Sequence, residues 1–418
     1  MPHSPLPAGT TPPGTVGHDG VVRVISAVLG VALLLTTMAS MLRNLIVPRG
    51  LRSILVRNLW GGWRVVLLGL SRPQRRRAAR RHGDPSTLAG YETLDAYLAW
   101  LAPLIVISTL AWWLLSLFIG FGLLLHAVSG LPLLASFREA GSSLFTLGFA
   151  SSVRLHLTAI DFLAAATGPL VIALQIAYLP TLYAAYNRRE VEVTLLQSRA
   201  AEPAWGPELL ARQALVGTVD ELRTLYQSWE RLAADIGESH ANYPVLLSFR
   251  SPRPYRGWVI ALLAVMDAAA MHMALVPTGD HVPTARLMLR AAFTGLRDIA
   301  RVTGIPFDTD PMPDETGLLT FAEYADAVEH LRDAGFLMQR DAAESWPHFR
   351  GWRVNYEAAA HGIAAHLDLP PALWSGPRTR LGQATARPAR PAHREPGTPD
   401  DPGDSPRDAE TPLRIPGQ

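Results

Sequence analysis

The feature that most restricts this chain is a run of 28 residues, Leu101 to Val128, LAPLIVISTLAWWLLSLFIGFGLLLHAV, without a single Asp, Glu, Lys or Arg. As a helix rising 1.5 Å per residue it is about 42 Å long, more than the ~30 Å of hydrocarbon in a bilayer. Backbone inside hydrocarbon has to satisfy its own hydrogen bonds, so the run predicts a spanning α-helix. Val21 to Val47 and Ala159 to Tyr186 meet the same length requirement. With 49% hydrophobic residues among 418, the chain is too apolar for an ordinary soluble protein and too polar to lie wholly in a membrane. Three transmembrane helices plus a soluble helical part are expected.

The arginines orient these spans. Arg43, Arg49, Arg52, Arg57, Arg64 and Arg72, then Arg75-Arg76-Arg77 and Arg80-Arg81, all fall at the end of the first apolar run or between it and the second. The positive-inside rule places linker 48–98 in the cytoplasm and the N-terminus outside. The segment 21–47 is then a retained anchor, because only Arg23 supplies charge at its front, which a cleaved signal would carry in excess. Residues 1–20, rich in Pro, Gly and Thr, and the tail 381–418, rich in Pro, Arg and Asp, are expected to be disordered. Within the linker, Leu51 to Leu70 reads as an interfacial helix broken at Gly61-Gly62. Trp60 and Trp63 would lie at headgroup depth, with Arg52, Arg57 and Arg64 on anionic lipid. The alternative is a pair of short helices packed on the soluble domain.

Between the second and third spans lies SFREAGSSLFTLGFA, Ser136 to Ala150, too short and too polar to cross a membrane. An amphipathic helix over Phe137 to Phe145 followed by Thr-Leu-Gly-Phe-Ala reads as a re-entrant loop, residues 132–153, dipping in from the outer face. Non-helical backbone at that depth requires protein or a water-lined cavity around it. A helix descending into the bilayer also directs its negative dipole end at the membrane centre, which favours a cation there.

The order of spanning helix, short helix, T-x-G-[YF]-x and spanning helix resembles the potassium-channel pore, whose filter reads TVGYG. The resemblance covers roughly 101–186. It implies that Thr146 supplies hydroxyl and carbonyl at the inner end of a filter, that Leu147, Gly148 and Phe149 supply carbonyls, and that Ala150 stands at the family's second glycine. Ser151 occupies the place of the acidic residue that commonly follows. Arg154 sits close behind, where a positive charge repels incoming cations. Glu139, Arg154 and Asp161 are the vestibule candidates, and Gly168-Pro169 matches the hinge of a pore-lining helix. The resemblance further implies dehydrated K+ in the filter as the only bound cofactor, and a homotetramer enclosing it. The unit 99–187 is therefore expected to be pore-like.

Residues 188–380 read as a cytosolic all-helical domain. Pro207 opens a helix expected to continue through Leu215, Val219, Leu222, Leu225 and Trp229. Thr320-Phe321-Ala322-Glu323 is a capping box, and Gly335 closes the helix it starts. Arg286 to Val302 and Asn355 to Leu367 carry the same period. Trp258 to Val276 is long enough to span, but Asp267 and His272 favour a buried central helix of the bundle.

No catalytic constellation stands out. Glu357 and His361 are one turn apart, but Asp267 and His272, like His361 and His366, are five apart and point differently. No metal site is expected. There is no cysteine, no phosphate-cradling glycine loop, no Gly-x-Ser-x-Gly and no HExxH. The arginines cluster beside apolar segments without interleaved aromatics, so nucleic acid is not an expected partner, whereas the lipid bilayer is. The functional expectation is a multi-pass channel-like protein with a helical regulatory domain and no enzymatic activity. The alternative is a membrane-anchored interaction or sensory protein whose helical domain binds a partner or ligand.

Overall fold

The computed structural model describes residues 15–45, 54–82, 88–151, 154–313, 318–370 and 372–375. The expected disordered tail 381–418 and most of segment 1–20 lie outside the described residues. These form α1 (Thr15–Leu45), α2 (Ile54–His82), α3 (Leu88–Leu98), α4 (Leu101–Ser129), α5 (Leu133–Leu144), α6 (Leu155–Ala200), α7 (Gly206–Leu215), α8 (Leu222–Asn242), α9 (Trp258–Leu275), α10 (His281–Thr303), α11 (Phe321–Asp333) and α12 (Ala342–His366). Apart from one isolated bridge, Ala372 with Ser375, the described residues contain no β-structure. Among the described residues, four helical stretches are long and apolar enough to cross a membrane: Gly20–Leu45, Tyr91–Ser129, Leu155–Ala200 and Trp258–Leu275.

Helices α1 and α4 pack antiparallel along most of their length. Arg23 Nε donates to the Ala127 carbonyl at 3.1 Å near one end, and Trp113 Nε1 donates to Ser40 Oγ at 3.2 Å near the other. Between them the backbones touch at two glycines: a Cβ on Gly30 would sit 2.9 Å from the Gly120 carbonyl oxygen. Small residues at such a crossing let dispersion contacts replace a hydrophobic drive that lipid does not provide. The inward stripe of α4, Ile105, Thr109, Trp113, Leu117, Phe121 and Leu125, repeats every four residues and is buried. Ile107, Trp112 and Leu115 face outward and are more than half exposed.

The sequence suggests a break in the linker at Gly61-Gly62, yet α2 runs unbroken through these glycines and through Pro73. Trp63 Nε1 bonds Ser108 Oγ of α4 at 2.8 Å. Arg64 forks onto Asp368 with two bonds of 2.8 Å, and Tyr91 donates to the Asp368 carbonyl at 2.6 Å. Arg250 adds a pair with Asp95 and a 2.6 Å bond to the Leu367 carbonyl. The basic linker is thus clamped to the end of α12.

With 46 residues, α6 is about 69 Å long, roughly twice the hydrocarbon thickness. Its C-terminal part enters the core of the helical domain, where Val193, Leu196 and Ala200 are buried. All 18 residues of α9 are buried by protein, leaving no face for lipid. The helix expected to run from Pro207 past Trp229 is two helices: the chain turns at Val216–Thr218, with Thr218 N donating to the Gln213 carbonyl at 2.9 Å. The capping box of α11 is formed, with Thr320 Oγ1 accepting from Glu323 N and Glu323 Oε2 accepting from Thr320 N.

Candidate functional site

The helix that carries the filter candidate begins a turn earlier than the pattern predicts, at Leu133, and turns back along α4. Phe137 fills the space over Gly122, its ring 5.3 Å from that of Phe118, and Phe118 also lies against Gly141. Residues rising along α5 meet residues falling along α4, so α5 retraces the last turns of α4 in the opposite direction. On its other flank Ser143 Oγ donates to Asp161 Oδ1 of α6 at 2.7 Å. The Leu144 carbonyl seats on Gly168, where an added Cβ would lie 1.9 Å from the oxygen. Gly168 is required by this contact, since no side chain fits between the two backbones. Pro169 beside it faces outward, and α6 continues through it.

Gly168 is thirteen residues inside α6, about 20 Å from its first residue. The connection from Phe145 to Arg154 therefore travels back over that distance. Its first part folds onto the end of α5. Thr146 N donates to the Ser143 carbonyl at 3.0 Å and Leu147 N to the Ser142 carbonyl at 2.8 Å, with Thr146 at φ 53°. These two bonds make a Schellman closure with threonine in the left-handed position that glycine usually takes. A β-branched residue there costs about 1–2 kcal/mol relative to its ordinary conformations. Gly148, at φ 73°, continues the turn, and the Ala150 N–H donates to Ser142 Oγ at 2.9 Å. Buried Ser142 thus holds the pentapeptide through both its carbonyl and its hydroxyl, a role that its position in a Ser-Ser pair did not reveal.

The candidates come together in part. Thr146, Leu147, Gly148 and Phe149 are exposed in the single chain, and Ala150 is half-buried. The Arg138 guanidinium lies over the Phe149 ring at 5.5 Å. Arg154 is exposed at the first turn of α6, where its carbonyl accepts from Leu157 N and Thr158 N. Glu139 and Asp161, expected at an open vestibule, are buried in the helix packing, 4% and 7% exposed. Glu139 Oε1 and Asp161 Oδ2 have no hydrogen-bond partner among the described residues.

A second polar centre joins α6 to the helical domain. Fully buried Arg189 bonds Glu190 Oε1 at 2.9 Å, the Phe249 carbonyl at 2.8 Å and His240 Nε2 at 2.9 Å. Its guanidinium also lies over the rings of Tyr186 and Trp258. Burial, and after it the Arg189 charge, push the His240 imidazole well below the ordinary histidine range, so it sits there neutral. A third cluster is internal to the domain. Arg353 pairs with Asp267 at 2.5 Å and Glu357 at 3.0 Å, and Tyr356 donates to Asp267 Oδ1 at 2.8 Å. Burial raises the Glu357 carboxyl, but the charge and hydrogen bond of Arg353 together outweigh it and hold the group below its usual range.

Comparison of this chain with family models, with curated proteins and with solved structures finds no match.

Proposed function

We propose that this chain is a multi-pass membrane protein in which α4, α5, the loop through Thr146 to Ala150, and α6 form a pore-like unit, with the helical domain coupled to it through α6. The observation that carries this reading is the seat of the Leu144 carbonyl on Gly168, which draws the end of α5 about 20 Å along α6. A connection that goes down one helix and returns along another is a re-entrant path. The exposed TLGF segment is the part of that path which further copies would enclose. Four copies around an axis would bring Thr146 to Phe149 together as an ion path, with K+ the ion that the resemblance implies. The alternating directions of α1, α4 and α6 suit three successive crossings, and the arginines alone orient them so that α1 enters from outside, α4 returns and α6 goes back in.

The chain has no cysteine, so single cysteines at Leu147 or Phe149 can be labelled without background. The purified full-length protein is expected to be a tetramer in mild detergent. In liposomes it should pass thallium, with flux abolished by Gly148→Val and labelling reached from the outer side only. A monomer without flux would overturn the pore.

One observation favours a second reading, a membrane-anchored sensory or interaction protein. The carbonyls of Ser142 and Ser143 at the end of α5 already accept N–H groups from Leu147 and Thr146, so the negative helix end faces its own chain. The loop is then a structural plug, and the helical domain carries the activity.

A further inference from the structure

Where the membrane-length helices meet the helical domain, the ends of α1, α2 and α12, the first half of α4, the middle of α6 and the turn after α8 enclose a cavity of about 170 Å³. We infer that this cavity binds a single-chain anionic amphiphile, a fatty carboxylate or lysolipid phosphate taken from the adjoining leaflet.

Three features of the wall define that ligand. Ile105, Trp113 and other apolar side chains form most of it, which suits an acyl chain. Two guanidiniums, Arg43 and Arg57, stand at it, and among the described residues no Asp or Glu lines it. Among the described residues Arg43 bonds its own helix, at the Ala39 carbonyl, 3.1 Å away, and neither arginine has an acidic partner. A carboxylate or phosphate matches this positive, acid-free rim through charge-assisted hydrogen bonds. The third feature is Gln175, which is 7% exposed and whose Oε1 lacks any hydrogen-bond partner among the described residues. Buried amide oxygens are normally satisfied, so the glycerol hydroxyl of a lysolipid phosphate has a waiting acceptor there, while a fatty carboxylate is held by the guanidiniums alone. The size exceeds the ~150 Å³ of an apolar cavity that takes up benzene, enough for a headgroup and the first methylenes of a chain.

The position gives the ligand a consequence. His366 lines the same cavity and stacks on Trp60 at 4.2 Å, beside the Arg64 to Asp368 clamp. Occupancy would fasten α1, α2, α4 and α6 to the domain at one point. The inference stands whether or not the protein conducts ions.

Full-length protein would be titrated with oleate, with monoolein and with inorganic phosphate, reading melting temperature and retained lipid by native mass spectrometry. Oleate should raise the melting temperature and be retained, monoolein should bind about tenfold more weakly, and phosphate alone should do neither. Arg57→Gln, an exposed position where folding is not at risk, should weaken oleate about tenfold without changing the melting temperature of ligand-free protein. Thr109→Trp, which fills the cavity, should abolish retention. Equal binding of monoolein and oleate, or unchanged oleate binding in both variants, would overturn the site. Stabilisation by phosphate as large as that by oleate would overturn the role of the chain.

Discussion

Helices α4 and α9 are both long and apolar enough to cross a membrane, yet they end in opposite surroundings. Helix α4 buries one stripe and leaves Ile107, Trp112 and Leu115 facing out, whereas α9 has no exposed residue at all. What separates them is the polar content and its partners. Asp267 of α9 is answered by Arg353 and Tyr356 of α12, and His272 by the Tyr226 hydroxyl at 3.2 Å. Apolar length measures how strongly a helix avoids water. The partners of its few polar groups decide whether lipid or protein receives it.

The sharpest way to break this comparison is to remove the partner. Arg353→Met leaves Asp267 as an uncompensated buried charge and Glu357 with its longer 3.7 Å pair to Arg350, and should cost about 3–5 kcal/mol in denaturant unfolding of the helical domain. Adding Asp267→Asn and Glu357→Gln should recover most of that loss. If the single substitution is neutral, the network does not keep α9 in the protein interior.

A change in the membrane unit should be smaller and confined to it. Gly168→Val drives a side chain into the Leu144 carbonyl and should cost about 1–3 kcal/mol. Hydrogen exchange should rise in α5 and the following loop while α9 stays protected. Equal loss of protection in α9 would mean that the two regions fold as one unit.

The joint between them should respond to acid. His240 has a depressed folded pKa, so the unfolded chain binds more protons below about pH 6.5, the unfolded value. Stability contributed by neutral His240 is complete above that pH and falls as acid is added. Thermal melts from pH 8 to 5 should show the decline, and His240→Gln should flatten it. An unchanged slope in the variant would assign the pH response to another group, with His366, also held low by burial and then by Arg64, the next to test.

The smallest effect is expected on the outward face of α4. Leu115→Ala should stay within about 0.5 kcal/mol in detergent, where an equivalent truncation inside α9, Leu263→Ala, should cost about 2–5 kcal/mol. Similar values for the two would erase the distinction.

Much of the helical content was legible because it rests on local rules: the charge-free run of α4, the amphipathic α5, the Thr320 to Glu323 box. The buried reading of Trp258 to Val276 followed from two polar residues in an otherwise apolar run. What was not legible depends on distant pairings. Arg64 looks like a lipid-facing arginine until Asp368, 304 residues away, is brought to it. Gly168 resembles a hinge by its neighbouring proline, but its neighbour in space is the Leu144 carbonyl. The turn that divides α7 from α8 interrupts an apolar period which alone predicts one helix. Ser142 carries no sequence signal for its double role, and the amphiphile cavity draws its wall from elements spread over more than three hundred residues.

One consequence follows from the uninterrupted course of α6. With its N-terminal half set against Leu144 and its C-terminal half gripped at Arg189, it would act as a lever arm about 69 Å long. A tilt of about 5° at one end displaces the other by about 6 Å over that length, more than a helical turn. A displacement of its N-terminal half would therefore reach the domain interior as movement, with no relay of loops in between.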